Sequence, residues 1–308
     1  MTLYQKFSNE WSNEWFQFIL DNPNKNWNYN NLSNNENVTW EIVQANPGKK
    51  WNYEMLSTNP NITWEIIQAN PYKQWDYGWM SYNPNITWKI VQDNPDKRWS
   101  YGALNLNPSI AWKIVKENPD KPWDYSFNLC LNPNITWKIV QANPKKQWNY
   151  YFLSKNQNIT WKIVQENPYK PWSYRLLSQN PNITWDIVKA NPDKPWNYTE
   201  LTRNPNITWE IIQSNPDKDW DYNYCLNENP NVTWKIIQEN PNFPWNYENL
   251  SNNKMNLAKE EFIRSKFQEW FKRSKLKEEL IAKLWHPKNF EKFKYYDPET
   301  FGNDEEES

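Results

Sequence analysis

Residues 63–87 read TWEIIQANPYKQWDYGWMSYNPNIT, and the punctuation of this stretch decides the fold. Thr63 is a good helix N-cap, and Trp64 to Asn70 then reads as two helical turns. Pro71 ends them, because proline disfavours helix at the residue before it. A short turn leads to Trp75, and Asp76 is again a preferred N-cap type. A second helix therefore starts at Tyr77, carries Met80 three residues later, and stops at Asn83-Pro84. The stretch predicts a hairpin of two very short helices.

The same wording recurs about every 24 residues along most of the chain. One tryptophan column runs from Trp40 to Trp234 and mostly follows Asn-Ile-Thr. The other runs from Trp27 to Trp245 and follows Asn-Pro-x-Lys-x. After the second tryptophan stands Asn28, Asn52, Asp76, Ser100, Asp124, Asn149, Ser173, Asn197, Asp221 or Asn246, an N-cap type every time. Helices of two turns are not stable alone in water, so neighbouring units must share apolar surface. The fold class predicted is all-α: an α-solenoid of about ten 24-residue repeats, each a hairpin of two short helices. One-residue insertions near Leu129 to Leu131 and Leu226 to Glu228 predict small bulges at the end of the second helix, with the array unbroken.

The ends differ from the middle. Residues 1–20 read as an N-terminal capping segment, 21–252 as the tandem repeats, 253–295 as a helical C-terminal cap and 296–308 as an acidic, disordered tail. In the C-terminal segment Phe262, Ile263, Trp270, Phe271, Leu276, Leu280, Ile281 and Leu284 recur at helical spacing, as expected of helices covering the open end of a stack. Residues 254–294 hold twelve Lys or Arg against six Asp or Glu, so this cap is basic.

Composition narrows the function. The 308 residues are 38% hydrophobic but 18% aromatic, with 24 Trp, which describes an ordered chain whose core uses few, large side chains. A net charge of −1 excludes a globally basic nucleic-acid binder and leaves local patches. Cys130 and Cys225 lie four units apart and read as reduced core thiols in place of Leu, which points to a cytoplasmic protein. No apolar signal region or membrane-length apolar run is present in the sequence.

The phrases Asn-Pro-Asn-Ile-Thr-Trp-Glu-Ile-Ile (residues 204–212) and Asn-Pro-Asp-Lys-Pro-Trp-Asn-Tyr (191–198) resemble the tandem-repeat proteins encoded in many copies by giant DNA viruses of the mimivirus kind. Residues 279–287, Glu-Leu-Ile-Ala-Lys-Leu-Trp-His-Pro, resemble the Leu-His-Pro ending of related viral repeat proteins. The resemblance covers nearly the whole chain and implies neither an activity, a cofactor nor catalytic residues; it places the protein in host cytoplasm. A looser similarity, Asn-Pro-x-x-x before a short helix, links the units to bacterial leucine-rich-variant repeats, from which the Trp columns depart.

Three sets of residues are candidates for binding. Lys49, Lys73, Lys97, Lys121, Lys146, Lys170, Lys194 and Lys218, with Lys25 before them, form a ladder two residues before the second tryptophan. Such a ladder could grip a nucleic-acid backbone or another polyanion. Against that, Asp96, Asp120, Asp193 and Asp217 precede four of these lysines, and a Lys stem over the adjacent Trp would serve stability alone. A second column changes sign in blocks: Glu41 and Glu65, then Lys89, Lys113, Lys138 and Lys162, then Asp186 and Glu210, then Lys235. It is either a zoned face for a protein partner or drift on a solvated one. Third, Trp79, Phe127, Phe152 and Tyr224 vary where other columns repeat, and large apolar side chains on a repeat surface are typical anchors. His286 is the only histidine, with no clustered partner for acid–base or metal chemistry, and no constellation of polar residues breaks the repeat. The expectation is a non-enzymatic scaffold without cofactors, presenting an elongated surface to protein partners; nucleic-acid binding is the alternative.

Overall fold

In the computed structural model, which describes residues 2–273, the Thr column opens helices as its chemistry requires. Thr63 is extended (φ −88°, ψ 166°), and its hydroxyl accepts from the Ile66 amide at 3.4 Å to start Trp64–Ala69. The same cap recurs from Trp40–Ala45 to Trp234–Glu239 except at Ala111, which has no side-chain acceptor. The second helices are capped by the Asn, Asp or Ser predicted for them, except in the units of Asp124 and Asp221: Asn52 accepts from the Met55 amide to open Tyr53–Thr58, and Asp76 from the Trp79 amide to open Tyr77–Met80. Every unit is a two-helix hairpin, and the described residues contain no strand.

Ten units are present. Unit one joins residues 16–21, the last turns of the long helix Leu3–Asp21, to Tyr29–Asn34; unit ten joins Trp234–Glu239 to Tyr247–Leu250. The sequence places residues 16–20 in a cap, but Phe16 does the work of a first tryptophan. Its ring lies 5.7 Å from Trp51, as Trp40 lies 5.9 Å from Trp75.

Two polar devices join each unit to the one before it. The asparagine after each second helix is buried, and its side chain reaches backwards. Asn83 Nδ2 donates to the carbonyls of Ser57 (3.0 Å), Asn59 (2.8 Å) and Ile62 (2.9 Å), while its Oδ1 accepts from the Asn85 amide (2.9 Å). The serine at the end of the second helix is a hook: the Ser57 hydroxyl donates to the Tyr53 carbonyl and accepts from the Asp76 amide of the next unit. Around these bonds lie fully buried Leu32, Leu56 and Met80, and Ile62, Ile86 and Ile110, with their counterparts. Each second tryptophan except Trp245 packs edge-on against the tyrosine of the preceding unit, as Trp75 does on Tyr53 at 5.4 Å; before Trp245, Phe243 meets Tyr222 instead. Buried polar groups that are all paired fix one register where apolar stacking alone would permit slippage.

The array has no open end. Unit one takes the place of an eleventh unit after unit ten, through the same bonds. Asn28 N–H donates to the Ser251 hydroxyl at 3.0 Å, and Asn35 Nδ2 donates to the carbonyls of Ser251 and Asn253, both at 3.0 Å. Asn37 Nδ2 donates to the Lys254 carbonyl, and Lys254 pairs with Glu36 at 2.8 Å. Trp27 meets Tyr247 edge-on at 5.1 Å, as Trp75 meets Tyr53, and lies 6.0 Å from Trp234, close to the 5.9 Å of Trp75 from Trp40. Residues 12–257 therefore form a closed ring, and the expected open stack with capped ends is corrected. Asn253, assigned from sequence to the C-terminal cap, is the last rung of the ladder.

The insertions fall at the start of the second element, not at its end as expected. Leu129 N–H bonds five residues back to Asp124 and Leu226 to Asp221, where Leu56 bonds four back to Asn52. The extra residue is taken up before the 3-10 helices Asn128–Leu131 and Cys225–Glu228, so the ladder passes through intact. The cysteines also differ from expectation. Cys130 replaces a hook serine, its thiol donating to the Tyr125 carbonyl, while Cys225 precedes the buried Leu226; both are free and buried.

The other compact unit joins residues 2–11 to 258–273, from the helices Leu3–Asp21 and Asn256–Arg273. Phe7 meets Phe267 edge-on at 4.9 Å, Trp11 lies 5.7 Å from Phe262, and Lys266 pairs with Glu10. His286, the stripe from Leu276 to Leu284, the rest of the basic cap and the acidic tail lie outside the described residues. Among the described residues no helix is long and apolar enough to cross a membrane.

Candidate binding face

Comparing ten copies of one unit separates side chains that hold the ring from side chains that are free to differ. On the second helix the free positions are two before, one before and two after the buried Leu. Positions two away on either side lie across the helix from that Leu. Neighbouring second helices pack more closely than neighbouring first helices do, so they form the inner layer of the ring, and the varying face looks towards its axis. Side chains of successive units meet on this face: Arg175 of unit seven pairs with Glu200 of unit eight, and Arg203 of unit eight with Glu228 of unit nine.

This inner face is divided. Units three, five and six carry the aromatics of an arc in which unit four has Gly102, Ala103 and Leu106: Trp79 and Tyr82, with ring centroids 5.8 Å apart, and Phe127, Phe152 and Tyr151, where Phe127 meets Phe152 at 4.3 Å and Tyr151 meets Phe152 at 5.1 Å. Trp79, Tyr82, Phe127 and Tyr151 are 39–44% exposed, a large solvent-facing aromatic surface for side chains that could have been polar. Of the anchors proposed from sequence, Phe127 and Phe152 thus meet, while Trp79 pairs with Tyr82 of its own unit, two units before Phe127. Tyr82 and Tyr151, not named as anchors from sequence, join them, Tyr82 on Trp79 and Tyr151 on Phe152.

Tyr224 belongs to a different arc. Units seven to nine build a polar network around Glu200, whose side chain is only 7% exposed. Arg175 Nε donates to Glu200 Oε1 at 2.9 Å, Gln179 Nε2 to Oε2 at 2.7 Å, and Arg203 Nε stands 3.6 Å from the same oxygen. Arg203 also pairs with Glu228 at 3.3 Å, donates to Cys225 Sγ and lies 5.5 Å from the Tyr224 ring centroid. Burial pushes the Cys225 thiol up to about 11 although Arg203 opposes it, so the group is a thiol and no ready nucleophile at neutral pH. Sequence reading missed this constellation because its members are spread over three units, at most three per unit. Lys155, at the boundary of the two arcs, is exposed yet crowded. Desolvation, then Arg203, push its ammonium below the usual lysine range, and Glu200 and Glu228 only partly offset this.

The lysine ladder is used internally. Lys97, Lys121, Lys194 and Lys218 pair with the preceding Asp at 2.8–2.9 Å. Lys49, Lys73, Lys146 and Lys170 lie over the tyrosine of the preceding unit, Lys146 at 4.4 Å from the Tyr125 centroid and Lys49 at 6.0 Å from that of Tyr29. The ring under the stem is this tyrosine, not the adjacent tryptophan, and Lys25 over Tyr247 repeats the contact at the closure.

The sign-changing column has a local account as well. Lys89, Lys113, Lys162 and Lys235 each face an acid one turn on, at Asp93, Glu117, Glu166 and Glu239. Glu41, Glu65, Asp186 and Glu210 have Ala or Ser there, and Glu65 is held below the usual carboxylate range first by its hydrogen bond with Thr63. Lys138, followed by Ala142, breaks the rule. The helices at Lys89, Lys162, Asp186 and Lys235 are neutral, while those at Glu41, Glu65 and Glu210 keep one negative and those at Lys113 and Lys138 one positive charge, so local pairing accounts for part of the zoning.

Among the described residues no cluster of three or more His, Cys, Asp or Glu is placed to hold a metal. The chain matches no protein-family model, no curated protein and no solved structure.

Proposed function

We propose that the chain is a non-enzymatic repeat scaffold that binds a protein partner on the inner face of its closed ring. The observation that carries this reading is the aromatic arc of Trp79, Tyr82, Phe127, Tyr151 and Phe152, grouped on the one face where the units are free to differ. Large exposed aromatics are costly in a soluble protein and are the usual anchors of protein interfaces. The surface offered is a converging inner wall, not the elongated one read from sequence. The polyanion alternative draws less support, since the lysine ladder is committed to aspartates and tyrosines of its own chain. The giant-virus resemblance supports a viral protein working in host cytoplasm.

The test is an affinity pulldown from the expressing cell, with and without nuclease, using the wild type and a Trp79→Ser/Phe127→Ser/Phe152→Ser variant. A few proteins that survive nuclease and disappear with the variant are expected. Recovery dominated by nucleic acid, or proteins recovered equally by the variant, would refute the reading.

A further inference from the structure

The inner wall also constrains the chemistry of its occupant. Lys155 follows Phe152 by three residues and Tyr151 by four, with its amide bonded to the Phe152 carbonyl at 3.1 Å, so by helical spacing its side chain neighbours the two that meet in the Phe127–Phe152–Tyr151 cluster. No carboxylate among the described residues lies within ion-pair distance of it. The two acids nearest in effect are already engaged: Glu200 by Arg175, Gln179 and Arg203, and Glu228 by Arg203. An exposed cation without a carboxylate partner among the described residues, beside solvent-facing aromatic rings, offers a partner a charge and an apolar seat together.

We propose that the ring axis receives a protein segment in which a carboxylate adjoins an apolar or aromatic side chain, the carboxylate pairing with Lys155 and the apolar group seated on Phe127, Tyr151 and Phe152. This rests on the protein-binding reading and gives it a chemistry. One acid beside an apolar group meets one cation beside an aromatic cluster, while Glu54 and Glu248 on the varying columns disfavour a run of phosphates.

The experiment is panning of a phage-displayed random-peptide library on the intact protein, followed by fluorescence anisotropy with the enriched peptides as synthetic probes. Enriched sequences carrying Asp or Glu next to Phe, Trp, Tyr, Leu or Ile are expected. Lys155→Glu should weaken them about tenfold or more, Lys155→Gln less so, and exchanging the peptide acid for Lys should restore binding to Lys155→Glu. Lys155 is exposed, so thermal unfolding of these variants should match the wild type and keep the comparison fair. Peptides without an acid, or binding indifferent to Lys155→Glu but lost in Phe127→Ser/Phe152→Ser, would overturn the carboxylate assignment and leave the scaffold reading standing. Binding indifferent to all of these variants, or a library that yields no binder, would overturn both.

Discussion

Replacing one ladder asparagine by alanine tests both the ladder and the closure of the ring. At Asn83→Ala four hydrogen bonds disappear, but not every partner is stranded. The Asn59 carbonyl keeps the Ile62 amide and the Ile62 carbonyl keeps Asn85 Nδ2, so the Ser57 carbonyl and the Asn85 amide lose most. Two buried groups losing their partners, at about 1–3 kcal/mol each, give a destabilisation of about 4 kcal/mol. For a body of this size that lowers Tm by about 8–16 °C. The informative variant is Asn35→Ala. In an open stack Asn35 would face solvent at a free end, and its loss would cost less than about 0.5 kcal/mol. In the closed ring it holds Ser251, Asn253 and Asn37 through the same atoms, so its cost should equal that of Asn83→Ala. Denaturant and thermal unfolding of the two variants, side by side with wild type, decide the matter. A silent Asn35→Ala beside a damaging Asn83→Ala would refute closure; two silent variants would refute the ladder.

Cys130→Ser should be neutral or stabilising within about 1 kcal/mol, because serine fills this hook position in other units, and DTNB titration of the native wild type near neutral pH should find the Cys130 thiol, pushed by burial to about 11, unreactive. Burial acts to raise the Asp221 carboxyl, but hydrogen bonds led by the Tyr224 amide hold it below its ordinary value. The stability it confers is present above the unfolded-state pKa and lost as pH falls through the folded one, so Asp221→Asn should flatten the acid limb of a stability–pH curve. Lys113→Glu removes an ion pair one turn long and sets like charges at Lys113 and Glu117, for which thermal unfolding should register a loss of only about 0.5 kcal/mol.

Much of this architecture was legible because it is local. Thr before Trp, the N-cap type before Tyr, and Pro after Asn each act within a few residues, and they marked the helices correctly except after Asp124 and Asp221, where the second element starts later as a 3-10 helix. The two Asn-Pro steps look alike in sequence, yet Asn46 turns its amide on its own helix at Ile42 while Asn59 reaches into the preceding unit. Nothing within one unit distinguishes them, since the difference arises only when a neighbour is present. Closure was illegible for a related reason. Ten similar units can make an open coil or a ring, and the choice rests on a small rotation per unit set by how tightly second helices pack relative to first ones. The polar constellation around Glu200 was hidden because Arg175, Arg203 and Glu228 are remote in the chain and meet only on the curved inner wall.

A solenoid with free ends can lengthen by one unit at a time, each duplication adding an interface and disturbing nothing else. A ring closed by its own repeat contacts cannot. Each unit must turn by one tenth of a circle, so an eleventh would ask every Asn rung and every Trp–Tyr contact to reset its angle, and a ninth-fold version would ask the same in reverse. Copy number is therefore fixed by geometry in this chain, and new function must arise by substitution on the inner wall, not by growth.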